Sequence, residues 1–329
     1  MGSREALRQR AVGAAVTAQR GLSDVQLARY AVTALIEEAQ LTPKPALVDQ
    51  RGSGAHRDLD LAIMLRSAHA LEPTFAALAH TARRRGEPSA LLRAELAQIG
   101  RAGEQAMLHA TGGSNAHRGA IWIVGLLVAG ASMRGGASVP GGTSLSASAS
   151  TRGVSMPGAT AHPNASHVCM LAAQIACFPD RFAAPADSHG ERARQRYQVG
   201  GARREAQDGF PHVIEIGLPA LFAARASGVD ENAARIDALL SIMASLDDTC
   251  LLHRAGLPGL HAAQHGARRV LQNGGSSTRD GHAALAALEH ELLSLNASPG
   301  GAADLLAAIL FLDMLAHHDA GGSSASWNI

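Results

Sequence analysis

The chain is short of lysine, aromatic residues and cysteine, and each shortage excludes something. Of its 29 basic residues only Lys44 is a lysine; the rest are arginine. Aromatics make up 3% of 329 residues, so a core has to be built mainly from Ala, Leu, Ile and Val, the usage of closely packed helices. The three cysteines, Cys169, Cys177 and Cys250, have no CxxC spacing. They cannot form a disulfide framework or an all-cysteine zinc site, and they fit a reducing compartment. The first residues lack the basic and apolar regions of a signal peptide. The longest apolar run, Ile121 to Ala131, contains glycine and is shorter than the roughly 20 residues that span a bilayer. Net charge is +1, without the bulk basic field that draws nucleic acid. The expectation is a cytoplasmic protein that engages neither nucleic acid nor membrane.

What is present is helical periodicity. Ser23 with Gln26 three residues on reads as a capping box, and Leu27, Ala31, Leu35 and Ala39 follow on one stripe until Pro43. Similar patterns run over 59–71, 89–110, 166–178, 191–207, 230–246, 259–272, 280–295 and 302–317. The best strand candidate, 213–216, is short and lies among helices, so it too reads as helix. The fold class predicted is all-α: one compact domain over 1–329 with roughly a dozen helices. Residues 134–160, rich in Gly, Ser and Ala, are predicted to be a flexible loop within it.

Polar residues gather in six segments. Lys44 lies between Pro43 and Pro45, where it is either a point charge for phosphate or part of a stiff connector. His56, Asp58 and Asp60 follow a Gly-rich turn. Because Asp58 and Asp60 would stand about 200° apart on a helix, sharing a cation requires a non-helical entry turn; simple helix capping is the competing reading. His117 and Arg118 follow Gly112 and Gly113 before an apolar helix, a weak anion-binding pattern. Ser188 and His189 precede an arginine-rich stretch that reaches Arg203 and Glu205. Asp247 and Asp248 are read as acids at a helix C-terminus, where the dipole disfavours them, a hint of a cation or of pairing with Arg254. Asp304, in the first turn after Ser298-Pro299-Gly300-Gly301, reads as mostly structural.

In this order, TPKPxLVD, GxGAHRDLD, the segment 115–121, SHG, GARREAxxGFP, DTCLLHRAG and SPGGAADLLAAILF resemble the triphosphoribosyl-dephospho-CoA synthase family across 41–312. The stretch from SHGERARQRY to GFPHV is most similar to the branch associated with malonate decarboxylase rather than citrate lyase. Four positions depart from the family pattern: Ala46 stands for a usual Gly, Ala116 for Thr, Arg118 for Lys, and Cys250 for Asn.

The resemblance implies a largely helical enzyme that joins ATP to 3′-dephospho-CoA. Adenine leaves, the ATP ribose becomes linked to the 2′-OH of dephospho-CoA, and the product passes to a transferase acting on an acyl-carrier subunit. Such chemistry creates oxocarbenium character at C1′, and the attacking hydroxyl needs a base. By chemical type, Glu205 is the first candidate for that base and Asp49 the second. Asp58, Asp60 and Asp248 are candidates for Mg²⁺. Lys44, His56, His117, Arg118, Arg203 and Arg254 would grip phosphates, with Ser188 and His189 near a ribose or base. Two other readings keep the helices but change the role: a Mg²⁺-dependent nucleotide hydrolase, or a non-catalytic binding subunit of a decarboxylase assembly.

Overall fold

Two helices that are apolar on every side organise the molecule. In the computed structural model, which describes residues 21–134, 163–180, 182 and 188–320, these are α5 (Arg118–Arg134) and α13 (Gly300–Asp319). A helix without a polar face has to be enclosed. Accordingly, α13 buries an unbroken run from Leu305 to Asp313, and α5 buries Ile123 to Gly130. Helix α13 alone has the length and hydropathy of a membrane span among the described residues, but 67% of that window is covered by the rest of the protein, as befits a core helix.

Around this pair lie α1 (Asp24–Gln40), α2 (Leu61–Ala70), α3 (Glu72–Arg85), α4 (Ala90–Ala110), α6 (Pro163–Cys177), α7 (His189–Tyr197) and α8 (Gly201–Gln207). The chain continues through a π-helical segment (His212–Gly217), α9 (Leu218–Ala226), α10 (Glu231–Met243), α11 (Thr249–Gln272) and α12 (Arg279–Ser294). Helix α13 packs against α1, α5, α10 and α11, and α5 also packs against α3 and α6. The described residues contain no strand, only an isolated bridge between Asp49 and Gly52, so the all-α expectation holds.

Local rules explain several boundaries. The capping box at the start of α1 is formed in both directions: the Ser23 hydroxyl accepts from the Gln26 N–H, and Gln26 Oε1 accepts from the Ser23 N–H. The 191–207 pattern, read as one helix, is two. Left-handed residues at Gln198 (φ 56°) and Gly201 (φ 60°) break it. The 259–272 helix starts ten residues earlier, and Gly256 (φ 64°) kinks it ahead of Pro258. The 213–216 segment is helical as expected, in the wider π form. The loop expected over 134–160 lies outside the described residues apart from Arg134.

Candidate active site

Helix starts and connectors from distant parts of the chain converge on a set of buried polar groups. Lys44 is 1% exposed, and its ammonium donates at 2.5 Å to both Oε1 and the main-chain carbonyl of Glu38, itself 4% exposed. The predicted point charge for phosphate is therefore committed to a buried carboxylate on α1. The connector is held by Asp49, which accepts from the Lys44 N–H at 2.9 Å and the Arg51 N–H at 2.7 Å. The Arg51 guanidinium closes over Asp49 and also clamps Glu289 on α12 with bonds of 2.8 and 2.7 Å. Asp49 thus anchors backbone and faces an arginine, an occupation unlike that of the base proposed for it.

His117 lies at the N-terminal end of α5, 3% exposed. Its Nδ1 is 2.7 Å from the Ser67 hydroxyl, while Nε2 is enclosed without a hydrogen-bond partner. Burial first, and then the Lys44 charge, hold the imidazole down to about 3, so it is neutral at physiological pH. A neutral imidazole with one free nitrogen can donate to or accept from a ligand hydroxyl, but it is not a cation that grips phosphate. Arg118, the next residue, turns outward and pairs with Glu104 on α4.

Two further carboxylates meet this cluster. Asp248 is not at a helix C-terminus: α10 ends at Met243, and Asp248 caps α11. Its oxygens accept from the Cys250 N–H at 2.7 Å and, across the fold, from the Ala302 N–H at 3.0 Å at the start of α13. One carboxylate therefore ties two helix N-termini, a favourable place for negative charge. Burial still raises its proton affinity above that of an ordinary Asp. Asp304, one turn into α13, has its carboxylate against Gly119 in the first turn of α5, with the Ala120 N–H among the groups that lower its proton affinity. Burial, then the negative charges of Glu38 and Asp248, push Asp304 well above the usual carboxylate range. The Cys250 thiol is pushed up by burial and by the same two aspartates.

The sequence offered one signal for Asp304, in Gly119. A Cβ at that position would lie 1.9 Å from Asp304 Oδ2, so only glycine admits the carboxylate there. Glu38 and Asp304 are the members of this cluster that motif reading missed. Glu38 looks like an ordinary helix acid, and Asp304 sits where a carboxylate is expected for helix stability alone.

A cleft of about 480 Å³ is lined by Arg57, Asp58, His253, Arg254 and Asn296, on segments that lead into the cluster. Arg254 is oriented by the Asn296 carbonyl and side chain, each at 3.0 Å, and by the Ala55 carbonyl. His56 connects the rim to the Ser298 hydroxyl at 2.9 Å, in the segment leading to Asp304. Burial and then Arg254 hold His56 down to about 4, so it too is neutral. His189 stacks on His253 with ring centres 3.9 Å apart, which brings α7 to the rim, while the Ser188 hydroxyl caps that helix.

Other predicted residues are placed elsewhere. Glu205 is 7% exposed, and both its oxygens serve His212: Oε1 accepts from the backbone N–H at 2.9 Å and Oε2 lies 2.8 Å from Nδ1. This bond raises the His212 proton affinity. Glu205 thereby fastens α8 to the π segment. Arg203 is exposed beside Glu191. Asp58 and Asp60 do lie on a non-helical entry turn, but Asp60 caps α2 through the Ile63 N–H at 2.7 Å, and Asp58 is exposed at the rim. Among the described residues no three His, Cys, Asp or Glu side chains converge as a ligand set. Asp58, Asp60 and Asp248 therefore do not fit a Mg²⁺ held by those three carboxylates.

Residues 24–323 match the family described as ATP:dephospho-CoA triphosphoribosyl transferase. The chain belongs to this family. It is 52% identical over 289 residues to a probable 2-(5′′-triphosphoribosyl)-3′-dephosphocoenzyme-A synthase of Pseudomonas paraeruginosa, covering 88% of this chain and 90% of that one. Identity is 53% over 291 residues to the protein of the same name in Azotobacter vinelandii, covering 88% and 91%. It is 51% over 290 residues to 2-(5′′-triphosphoribosyl)-3′-dephosphocoenzyme-A synthase of Klebsiella pneumoniae, covering 88% and 94%. No solved structure matches this chain. The family span includes every element that builds the cluster and the cleft, from α1 to α13, and makes the chain a transferase.

Proposed function

We propose that this transferase joins ATP and 3′-dephospho-CoA into 2′-(5′′-triphosphoribosyl)-3′-dephospho-CoA with release of adenine. What supports it is the family match, together with arginines lining the cleft on segments that lead into a cluster of buried carboxylates and a neutral histidine. Polyphosphate is attracted by Arg57 and Arg254, whose planar forks match phosphate oxygens. In their ionised form, the carboxylates of Asp248 and Asp304 favour the positive character that develops at C1′ as the glycosidic bond breaks. The free His117 Nε2 is suited to a sugar hydroxyl. The exposed His253 face, backed by His189, offers a stacking surface for a base.

In this reading Mg²⁺ arrives with ATP, held mainly by phosphate and water oxygens, as is usual for this ion with nucleotides. The product goes on to a transferase that loads an acyl-carrier subunit, of malonate decarboxylase by the branch resemblance, in the bacterial cytoplasm. The test is to incubate the protein with ATP, Mg²⁺ and dephospho-CoA, follow free adenine, and weigh the nucleotide product. Adenine release that requires dephospho-CoA, with a triphosphoribosylated product mass, is expected. Release without dephospho-CoA would instead identify a nucleotide hydrolase, and no ATP turnover would favour a binding subunit.

A further inference from the structure

Transfer to a hydroxyl requires a group that takes its proton, and the two carboxylates first suggested by chemical type are both occupied. Glu205 holds His212 through both oxygens, and Asp49 is bound by two backbone N–H groups and the Arg51 guanidinium. Glu38 is bound to Lys44 and 4% exposed; Asp248 is 2% exposed and tied to two helix starts. Asp304 differs from all four. Asp304 as a whole residue is half-buried rather than buried, no guanidinium or ammonium among the described residues is paired with its carboxylate, and the bare face of Gly119 leaves room for it. The Ser298-Pro299-Gly300-Gly301 segment that precedes it is held to the rim through His56, and its first turn is held to Asp248. His117, with its free Nε2, stands two residues before Gly119 in the chain.

We propose that Asp304 is the carboxylate that removes the proton from the attacking hydroxyl, with Gly119 as the residue whose missing side chain gives it that position. The inference rests on the transfer reaction proposed above. In the step, the acceptor O–H bond breaks and its proton goes to an Asp304 oxygen. The acceptor oxygen supplies the electron pair of the new bond to C1′. The C1′–N bond breaks with its electron pair staying on adenine, which takes up one proton as it leaves. The proton gained by Asp304 equals the proton adenine needs, so no outside acid or base is consumed.

The test compares Asp304→Asn with the unaltered protein in adenine release dependent on dephospho-CoA. The expected result is a fall in kcat of at least about 100-fold. The KM for each substrate stays within about threefold, and thermal unfolding is not earlier than in the parent. Asp304→Ala should behave alike and regain part of its turnover with added formate, which supplies a carboxylate in the vacated space. Turnover of Asp304→Asn within a few-fold of the parent overturns the inference, as does a loss carried by KM alone. Should the variants not fold, the parent protein can be treated with a water-soluble carbodiimide and an amine. Activity should fall in step with modification of Asp304, and both substrates together should protect it. Full activity with Asp304 modified, or loss with Asp304 intact, overturns it. Absence of dephospho-CoA-dependent release in the parent would strike the reaction instead.

Discussion

The Lys44 ammonium is bonded to both the side chain and the main-chain carbonyl of Glu38, so the single lysine of the chain neutralises one of three neighbouring carboxylates. Compactness matters here: an arginine fork could not place both donors into the same enclosed space.

Lys44→Met should therefore lower the unfolding free energy by about 3–5 kcal/mol, because Glu38 is left buried and unpaired. The double variant Lys44→Met with Glu38→Gln should recover much of that loss, since the orphaned charge is gone. Urea denaturation of both proteins checks this, and equal stability of the single variant and the parent would refute the pairing.

Two histidines make the fold sensitive to acid. His117 is held down to about 3 and His56 to about 4, whereas an unfolded histidine takes a proton near 6.5. Below that value the unfolded chain binds more protons, so stability falls as pH drops from 6.5 towards 4, by about 1.4 kcal/mol per pH unit for each histidine. Above 6.5 they contribute no slope. His212 has the opposite sign, since Glu205 raises it: its contribution is complete below 6.5 and is lost as pH rises through its folded value. Urea unfolding from pH 4.5 to 8 should show a maximum near neutrality, and the His117 ring signals should not shift between pH 5 and 8.

Glu205→Gln should weaken the fold rather than the chemistry. Losing a charge-assisted bond to His212 costs about 1.5–3 kcal/mol. Adenine release per folded molecule should stay near that of the parent. A variant that unfolds normally yet releases no adenine would restore Glu205 as the base.

Ala46→Gly should be stabilising by about 0.5–1 kcal/mol. Ala46 occupies φ 58°, a left-handed conformation that costs an L side chain energy and glycine none. Its carbonyl accepts from the Ala55 N–H at 3.0 Å, so the conformation is fixed by the turn and not free to relax. A higher midpoint in thermal unfolding is the expected result.

These positions show which features could be read before the fold was known. The capping box at Ser23 and Gln26 and the helix over 302–317, which is α13, were legible because both depend on neighbours in the chain. The break between α7 and α8 was not, since Gln198 carries no composition signal for a left-handed residue. The roles of the acids were the least legible. Asp248 was read against the helix before it, when its partners are the N–H groups of the helix after it and of α13, 54 residues on. Lys44 was singled out as a charge for phosphate, whereas its partner is Glu38, which lies inside a helix stripe where nothing marks it. Asp304 looked redundant at a helix start, and its meaning comes only from the approach of Gly119, brought across the core from another helix. Pairings across the chain decide what each carboxylate does, and no local pattern encodes them.

Asp248 holds the beginnings of α11 and α13 in one grip. Helix α11 carries His253 and Arg254 at the cleft, and α13 carries Asp304. One carboxylate is therefore the common pin for the helix that lines the cleft and the helix that bears Asp304, so pulling it out would loosen both anchorages at once.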